Sequence, residues 1–277
     1  MIYQQIPLEI DYKKAGFSQS VDAYMTTYTF PSSKEMPMAE RRPALVICAG
    51  GGYGFLSDRE KEPIAMRFAA LGFQTFILEY QVKTLPFPSQ LLQAAKAVAT
   101  IKERAEEWNV NPDAVFIIGF SAGGHLAASL GTLWNKPYVT DVLGYHHGEH
   151  RPCGMILSYP VITSGEFANR GSFVNLLLDN PSDELLAETS LENQVSADTP
   201  PAFIWHTYTD AGVPVENSMF FAAALRQHNI PFELHIFPEG RHGLSVSEDL
   251  TGGGPAECAV WPDMAARWAK QIIAKNA

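Results

Sequence analysis

The chain has 277 residues, 46% hydrophobic and 18% charged, with a formal net charge of -10. An ordinary hydrophobic share excludes disorder as the main state, and the acidic balance excludes nucleic acid and anionic membrane as partners, because both need clustered Lys and Arg. The charged share lies below the roughly 25% of an average soluble domain, and the length suits one domain, 1–277, with ample core.

Residues 2–10 and 21–30 hold β-formers in loose alternation, such as Tyr24, Thr26, Tyr28 and Phe30, and predict two antiparallel edge strands. Residues 44–49, A-L-V-I-C-A, form an unbroken apolar run ahead of three glycines. Such a run predicts a strand buried on both faces. A helix over 58–71 follows from Ile64, Phe68 and Leu71, with Ser57 and Glu60 as its capping box. A strand is predicted at 73–80. An amphipathic helix is predicted over 89–108, stopped by Asn111-Pro112. Strand 114–119 leads directly into a small-residue helix at 122–133. Strand 153–161 precedes a polar, broken stretch over 163–200, which predicts an excursion over the sheet with a short helical patch at Val174 to Leu178. Strand 202–208, helix 215–228, strand 232–237 and a helix from Pro262 complete the chain. Strands alternating with helices imply a mainly parallel sheet covered on both faces, with the chemistry at the carboxyl ends of its strands.

The sharpest motif is Gly119-Phe120-Ser121-Ala122-Gly123, a G-x-S-x-G between a buried strand and a helix. A serine on so tight a turn needs small neighbours, and the turn presents its hydroxyl at a helix N-terminus, where N–H groups favour a developing anion. Further donors come from a glycine-rich loop after an upstream strand, here Gly50-Gly51-Gly52-Tyr53-Gly54. Gly51, Gly52 and Ala122 are the candidate oxyanion donors, and Tyr53 is a candidate substrate contact at the pocket rim. A dinucleotide fingerprint is the rival reading of that loop, and the G-x-G-x-x-G spacing is absent. An acid and a histidine must follow downstream. Asp210 and His242 stand just past the strands at 202–208 and 232–237. Asp198 competes for the acid, but it precedes its strand and falls at the wrong end of the sheet.

Of the other histidines, His206 and His235 read as satisfied strand residues, and His125 as a packing or supporting group one turn into the helix. His146, His147 and His150 sit in G-Y-H-H-G-E-H-R. A metal site there is outweighed by a solvated loop, so neither metal nor cofactor is expected. Three scattered cysteines, Cys48, Cys153 and Cys258, read as buried small hydrophobes in a reducing compartment. The N-terminus has no basic-then-apolar signal, and no apolar run approaches about 18 residues, so a cytoplasmic chain without a membrane span is expected.

These motifs resemble those of the α/β-hydrolase esterases related to acetyl esterases and acetyl xylan esterases. The resemblance covers about residues 40 to 275. It rests on G-G-G-Y-G-F-L-S-D-R-E, G-F-S-A-G-G-H, P-P-A-F-I-W-H-T-Y-T-D-A-G-V-P-V-E-N-S and F-P-E-G-R-H-G, with R-G-S-F-V-N-L-L-L-D-N-P-S similar to that family's cap region. One departure is Ala49, which stands where many relatives carry His or Pro before the glycines. The resemblance implies an α/β-hydrolase fold with an eight-stranded sheet and a cap-like insertion at 163–200. It also implies a serine carboxylic-ester hydrolase with Ser121, Asp210 and His242 as triad, acting on short acyl esters, acetyl above all, of small alcohols or sugars. A thioesterase, a serine peptidase and a non-catalytic binding module are the alternatives. Low surface charge further predicts a homo-oligomer that buries an apolar patch.

Overall fold

The computed structural model describes residues 1–35, 41–178 and 181–276. Its strands are β1 (Ile2–Pro7), β2 (Tyr24–Thr29), β3 (Arg42–Cys48), β4 (Gln74–Glu79), β5 (Val110–Phe120), β6 (Met155–Ser158), β7 (Ala202–Thr207) and β8 (Phe232–Phe237). They form one sheet in the order β1-β2-β4-β3-β5-β6-β7-β8. The pairings β1–β2 and β2–β4 are antiparallel, and every other neighbouring pair is parallel. Only β1 of the two N-terminal strands is an edge, since β2 is paired on both sides.

The helices are α1 (Glu62–Ala70), α2 (Ser89–Glu103), α3 (Ala122–Leu133), α4 (Pro137–Leu143), α5 (Arg170–Leu177), α6 (Asp183–Glu188), α7 (Glu216–Gln227) and α8 (Trp261–Asn276). They cover both faces of the sheet. Ala44, Val46 and Cys48 of β3 point into a core built with Leu92, Val98, Leu126 and Phe221, from α2, α3 and α7. Leu45 and Ile47 point the other way, into a core with Phe68 of α1 and with Trp261 and Trp268 of α8. Burial on both faces is why these strands read as unbroken apolar runs. No helix among the described residues is long and apolar enough to cross a membrane.

Several elements depart from the sequence reading, among them β5, which starts at Val110 rather than 114. The predicted 58–71 helix is a 3-10 turn at Asp58–Glu60 followed by α1, and Ser57 makes no side-chain cap. Glu60 is 2% exposed and turned inward, so the expected capping box does not form. Helix α2 stops at Glu103 rather than near 108, because Trp108 packs into the core against Phe76 and Asn109 takes a positive φ of 53° that turns the chain into β5. Strand β6 ends at Ser158 rather than 161, because Tyr159 adopts φ 38° and Pro160 follows. Ahead of the histidine-bearing loop, Pro137 opens the short helix α4, which the sequence reading did not place. The 163–200 excursion holds α5, α6 and a 3-10 turn, while Asp179 and Asn180 of the expected cap motif lie outside the described residues.

Candidate active site

The carboxyl ends of β3, β5, β6, β7 and β8 open onto one site. Ser121 joins β5 to α3 with φ 54° and ψ -119°, a conformation that costs a non-glycine residue on the order of 1–3 kcal/mol. The glycines around it are demanded by backbone contact. A Cβ on Gly119 would lie 1.9 Å from the Gly123 carbonyl oxygen, and one on Gly123 would lie 2.1 Å from that of Cys48. The turn is held by Ser121 N–H donating to Ser158 O and Val161 N–H donating to Ser121 O, both at 3.0 Å.

Ser121, His242 and Asp210 lie in one hydrogen-bonded line. His242 Nδ1 is 2.7 Å from Asp210 Oδ2, and His242 Nε2 is 2.8 Å from Ser121 Oγ. A carboxylate only accepts, so Nδ1 carries the hydrogen and Nε2 is free to take the proton of the serine hydroxyl. Asp210 is buried, and its second oxygen accepts the N–H groups of Gly212 at 2.8 Å and Val213 at 2.9 Å. Burial alone would raise its carboxyl, but hydrogen bonds from His206 and His242, the charge of His242 and the Val213 N–H together hold it well below the usual range. Asp198, the competing acid, is remote from this line. Its carboxylate accepts from Asn135 and its carbonyl from Trp134 and Arg151.

The glycine loop abuts the serine. A Cβ on Gly50 would sit 3.0 Å from Ser121 Cβ. Gly51 and Gly52 take φ 126° and 61°, and among the described residues their N–H groups, like that of Ala122, have no protein acceptor. All three candidate donors are therefore uncommitted, Ala122 directly after Ser121 in the chain and Gly51 and Gly52 directly after Gly50. The Gly50 N–H is committed, donating to Glu60 Oε2 at 2.8 Å. From the excursion, Asn175 Nδ2 donates to Gly52 O and Asn169 Nδ2 to Gly212 O, each at 2.8 Å, so the stretch around α5 ties the glycine loop to the acid loop.

Tyr53 is not at the rim. It is 1% exposed, and its hydroxyl lies 2.9 Å from His125 Nδ1, so its side chain packs beneath the site and is closed to a substrate. His125 Nε2 is 2.8 Å from Thr189 O. A carbonyl only accepts, so Nε2–H donates to Thr189 and Nδ1 accepts from Tyr53. Burial pushes His125 down to about 4. The exposed aromatic of this loop is Phe55, at 63%, which follows the tight turn closed by Gly54 N–H donating to Gly51 O.

His206 was legible only as a strand residue. Its Nε2 lies 3.0 Å from Val213 O and 3.4 Å from Asp210 Oδ2, so a second histidine faces the acid. The His–Asp spacing of four across H-T-Y-T-D was the available signal. Glu60 and Tyr159, which the sequence marks only as a capping residue and a strand residue, also reach the site: Glu60 through the Gly50 N–H and Tyr159 through its ring against His242. The three histidines at 146–150 do not converge. His146 and His147 are exposed, whereas His150, expected in a solvated loop, is buried with Nε2 2.6 Å from Trp134 O and its ring stacked on Tyr145. No group of three His, Cys, Asp or Glu among the described residues could hold a metal ion. Among the described residues no cysteine forms a disulfide; Cys48 and Cys258 are buried and Cys153 is half-buried.

Residues 33–225 match the BD-FAE family model. The chain is 40% identical over 240 residues to endo-1,4-beta-xylanase B of Butyrivibrio fibrisolvens, covering 83% of this chain and 37% of that protein. It is 32% identical over 211 residues to the acetylxylan esterase of Xylanibacter ruminicola, covering 73% of this chain and 41% of that protein. The chain thus spans about two fifths of the length of these curated relatives. Among solved structures, the acetyl ester-xyloside bifunctional hydrolase of Caldicellulosiruptor lactoaceticus superposes with a TM-score of 0.83 at 35% identity, covering 97% of this chain and 96% of that one.

Proposed function

The chain belongs to the BD-FAE family and has the α/β-hydrolase fold, and from that premise we propose that it is a serine carboxylic-ester hydrolase acting on short acyl esters, acetyl esters of sugars or small alcohols above all. One observation carries the reading: the unbroken line from Asp210 through His242 to Ser121. The acyl and alcohol preference is supported by the acetylxylan esterase and the acetyl ester-xyloside hydrolase among the similar proteins.

In this mechanism Ser121 Oγ attacks the ester carbonyl carbon while its proton passes to His242 Nε2. The carbonyl oxygen becomes an oxyanion, accepting from Gly51, Gly52 and Ala122. The intermediate collapses, His242 gives its proton to the leaving alkoxide, and the alcohol departs from acyl-Ser121. Water then attacks the acyl carbon, losing a proton to His242, and that proton returns to Ser121 as the acid leaves. Asp210 stays ionised and stabilises the imidazolium in both halves. His242, with a side chain 28% exposed, can meet an incoming ester, whereas Asp210 at 1% is shielded from water. Self-association has an exposed edge to use, since β8 ends the sheet and carries Ile236 at 41% exposure.

Ser121→Ala tests the reading. Hydrolysis of p-nitrophenyl acetate and of acetylated xylo-oligosaccharides should fall by about 10⁶, and fluorophosphonate labelling should vanish, with the melting temperature kept. Turnover near wild type, or a wild-type protein that cleaves acyl thioesters or peptides but no oxygen ester, rejects it.

A further inference from the structure

A carboxylate that is 2% exposed needs a reason to be there, because burial of a charge is unfavourable unless its oxygens are satisfied. Both Glu60 oxygens are spoken for, and by two different walls of the site. Oε2 accepts the Gly50 N–H at 2.8 Å, directly ahead of Gly51 and Gly52. Oε1 accepts the Tyr159 hydroxyl at 2.7 Å. The Tyr159 oxygen in turn accepts the Ser245 N–H at 2.9 Å, three residues past His242, and the Tyr159 ring stands edge-on to the His242 ring with centroids 5.1 Å apart.

We propose that Glu60 is a positioning residue, a buried clamp that fixes the oxyanion loop through Gly50 and the histidine loop through Tyr159. The assignment rests on the esterase reading above and deepens it. The base His242 and the glycine-loop donors must be held within a few tenths of an ångström of their working positions, and they lie on separate loops. One carboxylate bridges the two because its oxygens diverge, each accepting from a different loop.

The surroundings fit such a clamp. Gly50 has no room for a side chain, since a Cβ there would lie 2.7 Å from both Glu60 Oε2 and Phe120 O. The charged and titratable groups facing Glu60 are Arg59 on its own turn, Tyr80 after β4, Tyr159 after β6 and His242 after β8. Burial raises its carboxyl above the ordinary 4.5, against the pull of Tyr159, Gly50, His242 and Arg59. A carboxyl so raised stabilises the fold at pH below its unfolded value and loses that contribution as pH rises. The buried carboxylate is compensated by the two hydrogen bonds that tie it to the two loops.

Glu60→Gln separates the roles. The amide keeps the shape and one acceptor but turns an NH2 toward either the Gly50 N–H or the Tyr159 hydroxyl, and it removes the buried charge. The expected result with p-nitrophenyl acetate is a kcat lowered at least tenfold, KM within twofold and a melting temperature at or above wild type. The fluorophosphonate labelling rate should fall in parallel with kcat. Tyr159→Phe, which keeps the ring on His242 and cuts one arm, should lower kcat less, by about threefold, and its effect should not add to that of Glu60→Gln. An E60Q enzyme within threefold of wild type in kcat overturns the clamp, as does activity lost together with a melting temperature lowered by several degrees. Should E60Q not fold, an unchanged kcat in Y159F overturns it by itself. A wild-type enzyme inert on every ester would instead overturn the esterase reading, so the two failures are distinguishable.

Discussion

Two histidine-bearing loops of this protein contrast sharply. The segment 144–152 packs three histidines into five residues, and the loop after β8 carries one. The dense cluster disperses: two rings face solvent, and the third is held by a tryptophan carbonyl, its Nδ1 without a partner among the described residues. The solitary His242 has a carboxylate on one nitrogen and a hydroxyl on the other. The clustered histidines lie near the amino ends of the strands, where Arg151 reaches back to Asp198, and His242 lies at the carboxyl ends. Of these two loops, the one after β8 alone gives its histidine both a carboxylate acceptor on one nitrogen and a serine hydroxyl on the other, with the ring partly open to an incoming ester.

The strongest way to break this comparison is to remove each kind of histidine. His242→Ala should lower kcat on p-nitrophenyl acetate by about 10⁴ or more, while His146→Ala and His147→Ala leave it within twofold. Asp210→Asn should cost about 10⁴, because the amide no longer fixes the Nδ1–H tautomer. Steady-state kinetics with matched melting temperatures check both, and a large loss in the 146–147 variants would mean that the distant loop takes part.

Much of this site was legible because its chemistry is local in sequence. Ser121 lies inside a five-residue motif whose glycines are required by backbone clashes that any strand–turn–helix junction of this kind imposes. Asp210 and His242 follow strands that the apolar runs marked. Glu60 was misread for a physical reason. S-D-R-E satisfies the capping-box pattern, and nothing in the local sequence says that the glutamate is turned inward toward Gly50 and toward Tyr159, 99 positions away. Tyr53 was misread for the opposite reason. Its place in the glycine loop was plain, but its positive φ of 54° turns the ring down onto His125 rather than outward. Loop membership is visible in sequence; side-chain direction within a loop is not.

A second test separates histidines that act on stability from those that act on chemistry. His125 is buried and pushed down to about 4 from an ordinary 6.5. A base depressed in the folded state contributes stability that is intact above its unfolded value and lost as pH falls toward the folded one. Between pH 6.5 and about 4 the loss should be on the order of 3 kcal/mol. His150, also lowered by burial, adds to it, and Glu60, shifted the opposite way, subtracts. Urea unfolding at pH 7, 5.5 and 4.5 should show stability falling with acid. The fall should be shallower in His150→Phe, whose kcat at neutral pH stays within twofold of wild type. A stability that is flat over this range rejects the assignment of neutral buried histidines.

The smallest effect belongs to the second histidine on the acid. His206 is fully buried, and its Nδ1 lies 2.8 Å from the Ser218 hydroxyl, while Nε2 faces two acceptors, Val213 O and Asp210 Oδ2. Two acceptors require the hydrogen on Nε2, so Nδ1 accepts from Ser218. That donor helps hold the Asp210 carboxylate ionised and aimed at His242. His206→Phe keeps a ring in the space and deletes the donor, so kcat should fall about tenfold, a change of about 1.4 kcal/mol in barrier, with KM nearly unchanged. Ser218→Ala, which leaves the Nε2–H in place, should change kcat less than His206→Phe does. Equal losses in the two variants would mean that packing around the ring, rather than the proton on Nε2, is what the acid requires.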